Sequence, residues 1–450
     1  MASEHNPIAE LIQQVQAKWT NEVSPFPELK LVRWIIKPEE ARLFEGFLKL
    51  ESTEHGAIPE ILVTMLTPFK SEATHCADIM SDWVQAFDED LKTKDKLRTK
   101  GMPVTWDSPR HLHDASDEPF SAFFNFLSSF HKRMIDKNFR LVVALFPHSI
   151  YDMEGYRRWL ASMLKLPMPE SISFMIFDHD KEFYFDGLFR KFPGKTKSLH
   201  INLDMDGAIS KIAKMGDPAS PEVKLRECIL EMGKCVQNKD LQGVIKWGEK
   251  ALQVTQKSGS KSMYATAFII SAGMLFNFKE YEKIDRLLEQ GLTITKQGLK
   301  LEDAACKPLL VQYYGYLAAS RQLQKKIKDA IILYENQGDA ALAFQLAGMA
   351  LPPYRQAYSL AKKKTPERYD ELLQKGYTAG LSLQKEEQLN SSFPSIALDY
   401  LAMLDYKRQW EEANQAEKQL TVLLGSNWKE RANDPAAPYT LTAQKLIVPA

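Results

Sequence analysis

Hydrophobic and polar residues change rhythm once along this chain. Up to about residue 214, apolar runs of strand length alternate with segments of helical periodicity; beyond it, helical periodicity continues alone. Ile8, Leu11, Ile12, Val15 and Trp19 fall at the three-four spacing of an amphipathic helix over residues 7–20, with Asn6 as cap and Pro7 in the first turn. KLVRWIIK then reads as a strand, and Pro38 opens the helix EEARLFEGFLKLE. EILVTMLTPF is the next strand and SEATHCADIMSDWVQAF the helix after it. After a helix from Phe120 to Met134 come the strand RLVVALFP, a helix near Met153–Leu164 and the strand SISFMIFD. An aromatic helix, EFYFDGLFRKF, and the strand SLHINLD complete the series. Strands such as LVVALF are apolar on both alternations, as expected of strands covered on both faces. Five of them separated by helices predict a mostly parallel sheet with helices on both faces.

Residues 92–119 are charged, rich in turn formers and poor in aliphatics, which predicts an exposed excursion. At Asp217-Pro218-Ala219-Ser220-Pro221 the texture changes again, and this stretch reads as a linker. No convincing strand follows it until KLIV near the end. The reading is an α/β domain over residues 1–215, an all-α domain over 222–425 and a C-terminal tail over 426–450.

The helical half carries a local pattern. In GKCVQNKDLQGVIKWGEKALQV (233–254), Gly233 stands in a first helix, Asp240-Leu241 at a turn and Ala251-Leu252 at the close of a second helix. AGMLFNFKEYEKIDRLLEQGLTI repeats this with Lys279-Glu280-Tyr281 at the turn and Gly291-Leu292 at the close. LYENQGDAALAFQLAGMALP offers a third version, with Gly338-Asp339 as turn and Ala350-Leu351 as close. The pattern resembles the tetratricopeptide repeat (TPR), whose small residues let two antiparallel helices approach closely. The closing leucines are 40 and 59 residues apart, against about 34 in that family. The resemblance covers residues 222–360 by pattern and 361–425 by helical character. It implies a concave face lined by the first helix of each pair, near 226–237, 264–277 and 308–321. Lys234, Gln237, Asn277, Gln312, Tyr313 and Tyr316 are the side chains there suited to meeting a protein or peptide partner.

Nucleotide chemistry is tested most directly at strand-to-helix junctions, where glycine lets backbone N–H groups wrap a phosphate. No glycine lies between Glu22 and Glu45, around the first such junction. Gly194-Lys195-Thr196 copies the end of a P-loop, but Phe189 replaces the earlier glycine and the triplet precedes a strand, so Gly194 reads as a helix cap. Thr67-Pro68-Phe69-Lys70-Ser71 is better placed, with Lys70-Ser71 where a P-loop has Lys-Ser, yet it lacks both glycines, and Ser71 also suits a helix N-cap. Asp178-His179-Asp180 ends one strand and Asp204 and Asp206 end the next, at the edge where parallel sheets bind ligands; acids there also cap helices. By shape, the first half resembles a degenerate P-loop NTPase core. Together with the repeats, it resembles signal-transducing NTPases of the STAND class with the catalytic loop lost.

Composition narrows this further. Basic and acidic residues balance, 58 against 58, so no overall field recruits nucleic acid. The basic run 92–100 is interrupted by Asp95 and reads as solvated surface. The four cysteines form no CxxC pair, His111 and His113 lack the further Asp-His of a metallo-hydrolase, and all nine histidines lie within the first 200 residues. Neither metal nor cofactor is expected. Sparse cysteines, no signal peptide and no apolar run of about 20 residues predict a cytoplasmic protein without a membrane span. Two functions compete: a protein-binding adaptor or chaperone-like scaffold, and a divergent STAND-like NTPase or hydrolase using Lys70, Ser71 and Asp178 or the Asp178–Asp180 cluster.

Overall fold

A computed structural model describes residues 6–53, 55–89, 105–106, 119–389, 391–426 and 428–433. The chain forms two compact units that part between Ile209 and Ser210. The 92–100 run, the histidines at 111 and 113 and the KLIV segment lie outside the described residues.

The first unit is built on five parallel strands: β1 (Leu31–Ile36), β2 (Ile61–Met65), β3 (Leu141–Leu145), β4 (Ile172–His179) and β5 (Thr196–His200). Their order in the sheet is β2-β3-β4-β1-β5, with Leu31 beside both Phe174 and Thr196. α1 (Pro7–Glu22) precedes β1; between the strands run α2 (Ala41–Glu51), α3 (His75–Glu89), α4 (Pro119–Met134), α5 (Met153–Lys165) and α6 (Asp186–Lys191), and α7 (Met205–Ala213), after β5, contains the division between the units. The helix starting at Asn6-Pro7 forms as expected, with Asn6 Oδ1 accepting the Ile8 N–H at 3.0 Å.

Strand alternation sorts the core into two layers. Val32, Trp34, Val142, Ala144 and Met175 face α1 and α2, where Leu11, Val15, Trp19, Phe44 and Phe47 bury their side chains. Leu31, Val143, Leu145, Phe174 and Ile176 face the opposite way, against α3, α4, α5 and α6. Both alternations of these strands are therefore apolar because both faces are covered. The aromatic helix is shorter than its sequence implies: residues 180–185 form a turn with Phe183 at φ 48°, and only Asp186–Lys191 is helical. Gly194 lies between α6 and β5 rather than at the helix end, which Phe192 caps.

The second unit is helical throughout its described residues: α8 (Pro221–Gln237), α9 (Leu241–Lys257), α10 (Lys261–Leu275), α11 (Tyr281–Lys300), α12 (Cys306–Leu323), α13 (Ile327–Ala343), α14 (Leu351–Lys364), α15 (Tyr369–Leu381), α16 (Lys385–Leu389), α17 (Phe393–Tyr406), α18 (Trp410–Leu424) and α19 (Trp428–Asn433). Short turns join them as antiparallel pairs, α8/α9, α10/α11, α12/α13, α14/α15 and α17/α18, and each pair packs on the next. First helices of neighbouring pairs also touch, α8 with α10 and α10 with α12.

One contact recurs between pairs. A glycine in the second helix of a pair forms a notch, and an aromatic ring from the first helix of the next pair fills it. Gly291 receives Tyr313, Gly338 receives Tyr354 and Gly380 receives Phe393. This corrects the third repeat read from the sequence. Gly338-Asp339 lies inside α13, as the packing notch, and the turn of that pair is at Lys325-Lys326.

Candidate functional site

Connections leave the neighbouring strands β1 and β4 toward opposite faces of the sheet. α2 follows β1 onto the Trp34 side, and α6 follows β4 onto the Phe174 side. Such a reversal opens a crevice at the carboxyl ends of the two strands, the usual ligand position in open parallel sheets. A cavity of about 300 Å³ lies there, walled mainly by apolar side chains including Ile36, Phe146, Ile150, Phe177 and Phe185.

At the β1–α2 junction the chain reads Lys37-Pro38-Glu39-Glu40. Pro38 has no N–H to offer. The Lys37 N–H donates to Glu40 Oε2 at 2.9 Å, and Glu40 is only 1% exposed. Its other oxygen, Oε1, is buried with no partner among the described residues. A carboxylate thus occupies the helix start where a nucleotide site would hold phosphate, and an incoming anion would meet like charge in a poorly solvated place.

Asp178, the acid at the end of β4, is committed to structure. Its oxygens accept backbone N–H groups from His179 (2.9 Å), Tyr184 (3.0 Å) and Phe185 (3.2 Å), and Arg33 Nη1 donates to Oδ2 at 2.6 Å. This holds the turn that carries Phe183 in a left-handed conformation. Arg33 is itself buried, donating also to Ser198 Oγ at 2.9 Å and to Asp186, with its guanidinium 4.5 Å from the Phe189 ring centre. Asp180 Oδ1 lies 3.4 Å from His179 Nδ1. Asp204 accepts the Gly207 N–H at 2.9 Å at the start of α7, which is the capping role.

Lys70 and Ser71 are exposed, and neither lines the crevice. Ser71 Oγ meets Thr74 Oγ1 at 3.1 Å, and α3 starts at His75, so Ser71 does not cap it. Lys195 and Thr196 of the P-loop-like triplet donate to backbone carbonyls, Lys195 Nζ to Leu164 at 2.8 Å and Thr196 Oγ1 to Phe192 at 2.9 Å. No cluster of three metal-ligating side chains occurs among the described residues. Nearby, His75 is buried against Phe69, Tyr156 and Trp159, and burial pulls its imidazole down to about 4. Sequence reasoning passed over Glu40 and Arg33. Glu40 had one signal, a Glu two residues after a junction proline; Arg33 had none, since its partners lie more than 140 residues away.

In the second unit the six residues expected to meet a partner divide. Lys234, Gln237, Asn277, Gln312 and Tyr316 are exposed. Lys234 pairs with Glu231 at 2.6 Å, and the Tyr316 ring centre stands 6.1 Å from that of Phe276 in the turn after α10. Tyr313 is fully buried in the Gly291 notch, donating its hydroxyl to the Ala265 carbonyl at 2.5 Å. It packs the helices and presents nothing to a partner.

No protein-family model matches the chain, and no curated protein matches it. Among solved structures, a signal transduction ATPase with numerous domains (STAND) protein with a tetratricopeptide repeat sensor, from Pyrococcus horikoshii, is similar at 10% identity and a TM-score of 0.20, over 94% of this chain and 83% of that one. With a TM-score that low, the architecture stands on this chain's own features: a parallel α/β sheet followed by stacked helix pairs.

Proposed function

We propose that the chain is a cytoplasmic protein-binding adaptor or chaperone-like scaffold. In this reading the helical repeats (residues 222–425) hold the partner and the α/β domain (1–215) has no catalytic role. The observation that carries it is the β1–α2 junction, where Pro38 and the buried Glu40 carboxylate stand in place of a phosphate cradle. The engagement of all of Asp178's acceptor positions supports the same conclusion, because a magnesium ion would have to displace Arg33 or the turn amides. The partner surface is formed by Lys234, Gln237, Asn277, Gln312 and Tyr316.

Thermal melting with and without Mg-ATP tests the first half. Nucleotide at a hundredfold excess over Kd would stabilise by about 2.7 kcal/mol; an unchanged transition is expected. Magnesium-dependent turnover abolished by Lys70→Ala would replace the adaptor reading with the NTPase one. For the second half, a partner captured by affinity purification is titrated against Lys234→Glu/Tyr316→Ala. Weakened binding at an unchanged melting temperature is expected, and unchanged affinity would move the site elsewhere.

A further inference from the structure

The turns inside the helix pairs share a feature that the turns between pairs lack. In four of the five pairs, a residue just past the first helix adopts the left-handed conformation, with φ between 56° and 63°: Lys239, Lys279, Lys325 and Arg408. Glycine is the residue such helix ends favour, since a side chain there costs free energy. This chain has a basic residue each time. The remaining pair, α14/α15, ends its first helix in Lys362-Lys363-Lys364, all exposed. Between pairs, the left-handed residues are Gly259, Glu302 and Gln345. Both kinds of turn follow a helix C-terminus, so the helix dipole favours cations equally at both and does not explain the difference.

Because the pairs are antiparallel, all the inner turns lie along one edge of the repeat stack. Lys239, Lys279, Lys325 and Arg408 are exposed and form no ion pair among the described residues. Several neighbouring acids are already engaged: Asp240 accepts the Gly243 N–H at 2.9 Å, Glu280 pairs with Lys283 at 2.9 Å, and Asp370 pairs with Lys407 at 2.5 Å.

We infer that this edge docks an extended acidic segment of a partner protein. The inference rests on the proposed partner-binding role of the repeats and adds the chemistry of what they hold. Neighbouring pairs stack at about 10 Å, and an extended chain advances about 3.3 Å per residue. A segment with a carboxylate at about every third residue therefore meets one cation per pair. A flat anionic membrane would bring its charge equally against the interleaved acids, whereas a single strand can run along the cations.

The test uses the full chain and a fluorescein-labelled peptide of repeating Glu-Ser-Gly, followed by anisotropy at low salt. Saturable binding is expected, weakened at least tenfold by Lys239→Gln/Lys279→Gln/Lys325→Gln and by less than twofold by Lys257→Gln/Lys300→Gln/Lys307→Gln on the opposite edge. Circular dichroism checks that both variants fold. No binding by the unaltered protein, or equal loss in both variants, overturns the inference. So does binding confined to phosphatidylserine vesicles. These substitutions avoid Lys234 and Tyr316, so the proposed concave site can fail or hold independently.

Discussion

Burial of His75 makes stability depend on pH in a definite direction. Its folded value of about 4 lies below its ordinary value of 6.5, so between the two the unfolded chain binds the extra proton. The contribution is fully present above about pH 6.5 and is lost progressively as pH falls toward 4, amounting to roughly 3 kcal/mol at the acid end. His75→Phe, which keeps a ring between Phe69 and Trp159, is expected to flatten that part of the profile. Urea unfolding of both proteins at about pH 7 and about pH 4.5 measures it; parallel pH dependence would mean that His75 is already charged in the fold. Individual side chains were the least legible part of the sequence. Asp178 could be placed at a strand end, but its commitment to Arg33 depends on a strand pairing that local pattern does not record. Tyr313 and Tyr316 lie on one helix three residues apart, yet one fills a glycine notch and the other faces solvent.

Glycine notches filled by a ring occur at three of the four junctions between successive helix pairs. A Cβ at Gly338 would stand 2.7 Å from the Tyr354 ring, so Gly338→Ala must push the ring or the helix aside. Overpacking of this kind costs about 1–3 kcal/mol, which matches or outweighs the gain in helix propensity of about 1 kcal/mol. A lowered urea midpoint is expected, and a stabilised variant would show that the notch has slack. Lys239→Gly has the opposite sign, because it relieves a left-handed side chain, and gains up to about 1 kcal/mol. The turns also show where the sequence misled: the one at Lys325-Lys326 holds no glycine, proline, asparagine or aspartate and passed unnoticed, although those beside Lys239 and Lys279 were read. Gly338-Asp339 has the composition of a turn but is helical, because its glycine serves a ring on the next pair. The inner strands β3 and β4 were easier to find, since residues covered on two faces are apolar whichever way they point, whereas the edge strand β5 (TKSLH) exposes Ser198 and His200.

The same repeat logic bears on how the chain divides. A fragment starting at about residue 222 contains every notch and every ring that fills one. We expect it to be soluble and to give an all-helical circular dichroism spectrum, after cleavage near Asp217-Pro218 or when expressed alone. Aggregation of that fragment would mean that its stability depends on residues before the linker. At the other end, α18 exposes Glu411, Glu412, Asn414, Gln415, Lys418 and Gln419, but also Trp410 and Val422.

The notches also have a mechanical meaning. Each ring sits against a single glycine of the preceding pair, and the pairs are otherwise linked in series. Displacement at one notch is therefore carried to every pair beyond it and to none before it, so the order of the pairs along the chain decides how much of the stack a misfitted ring would disturb.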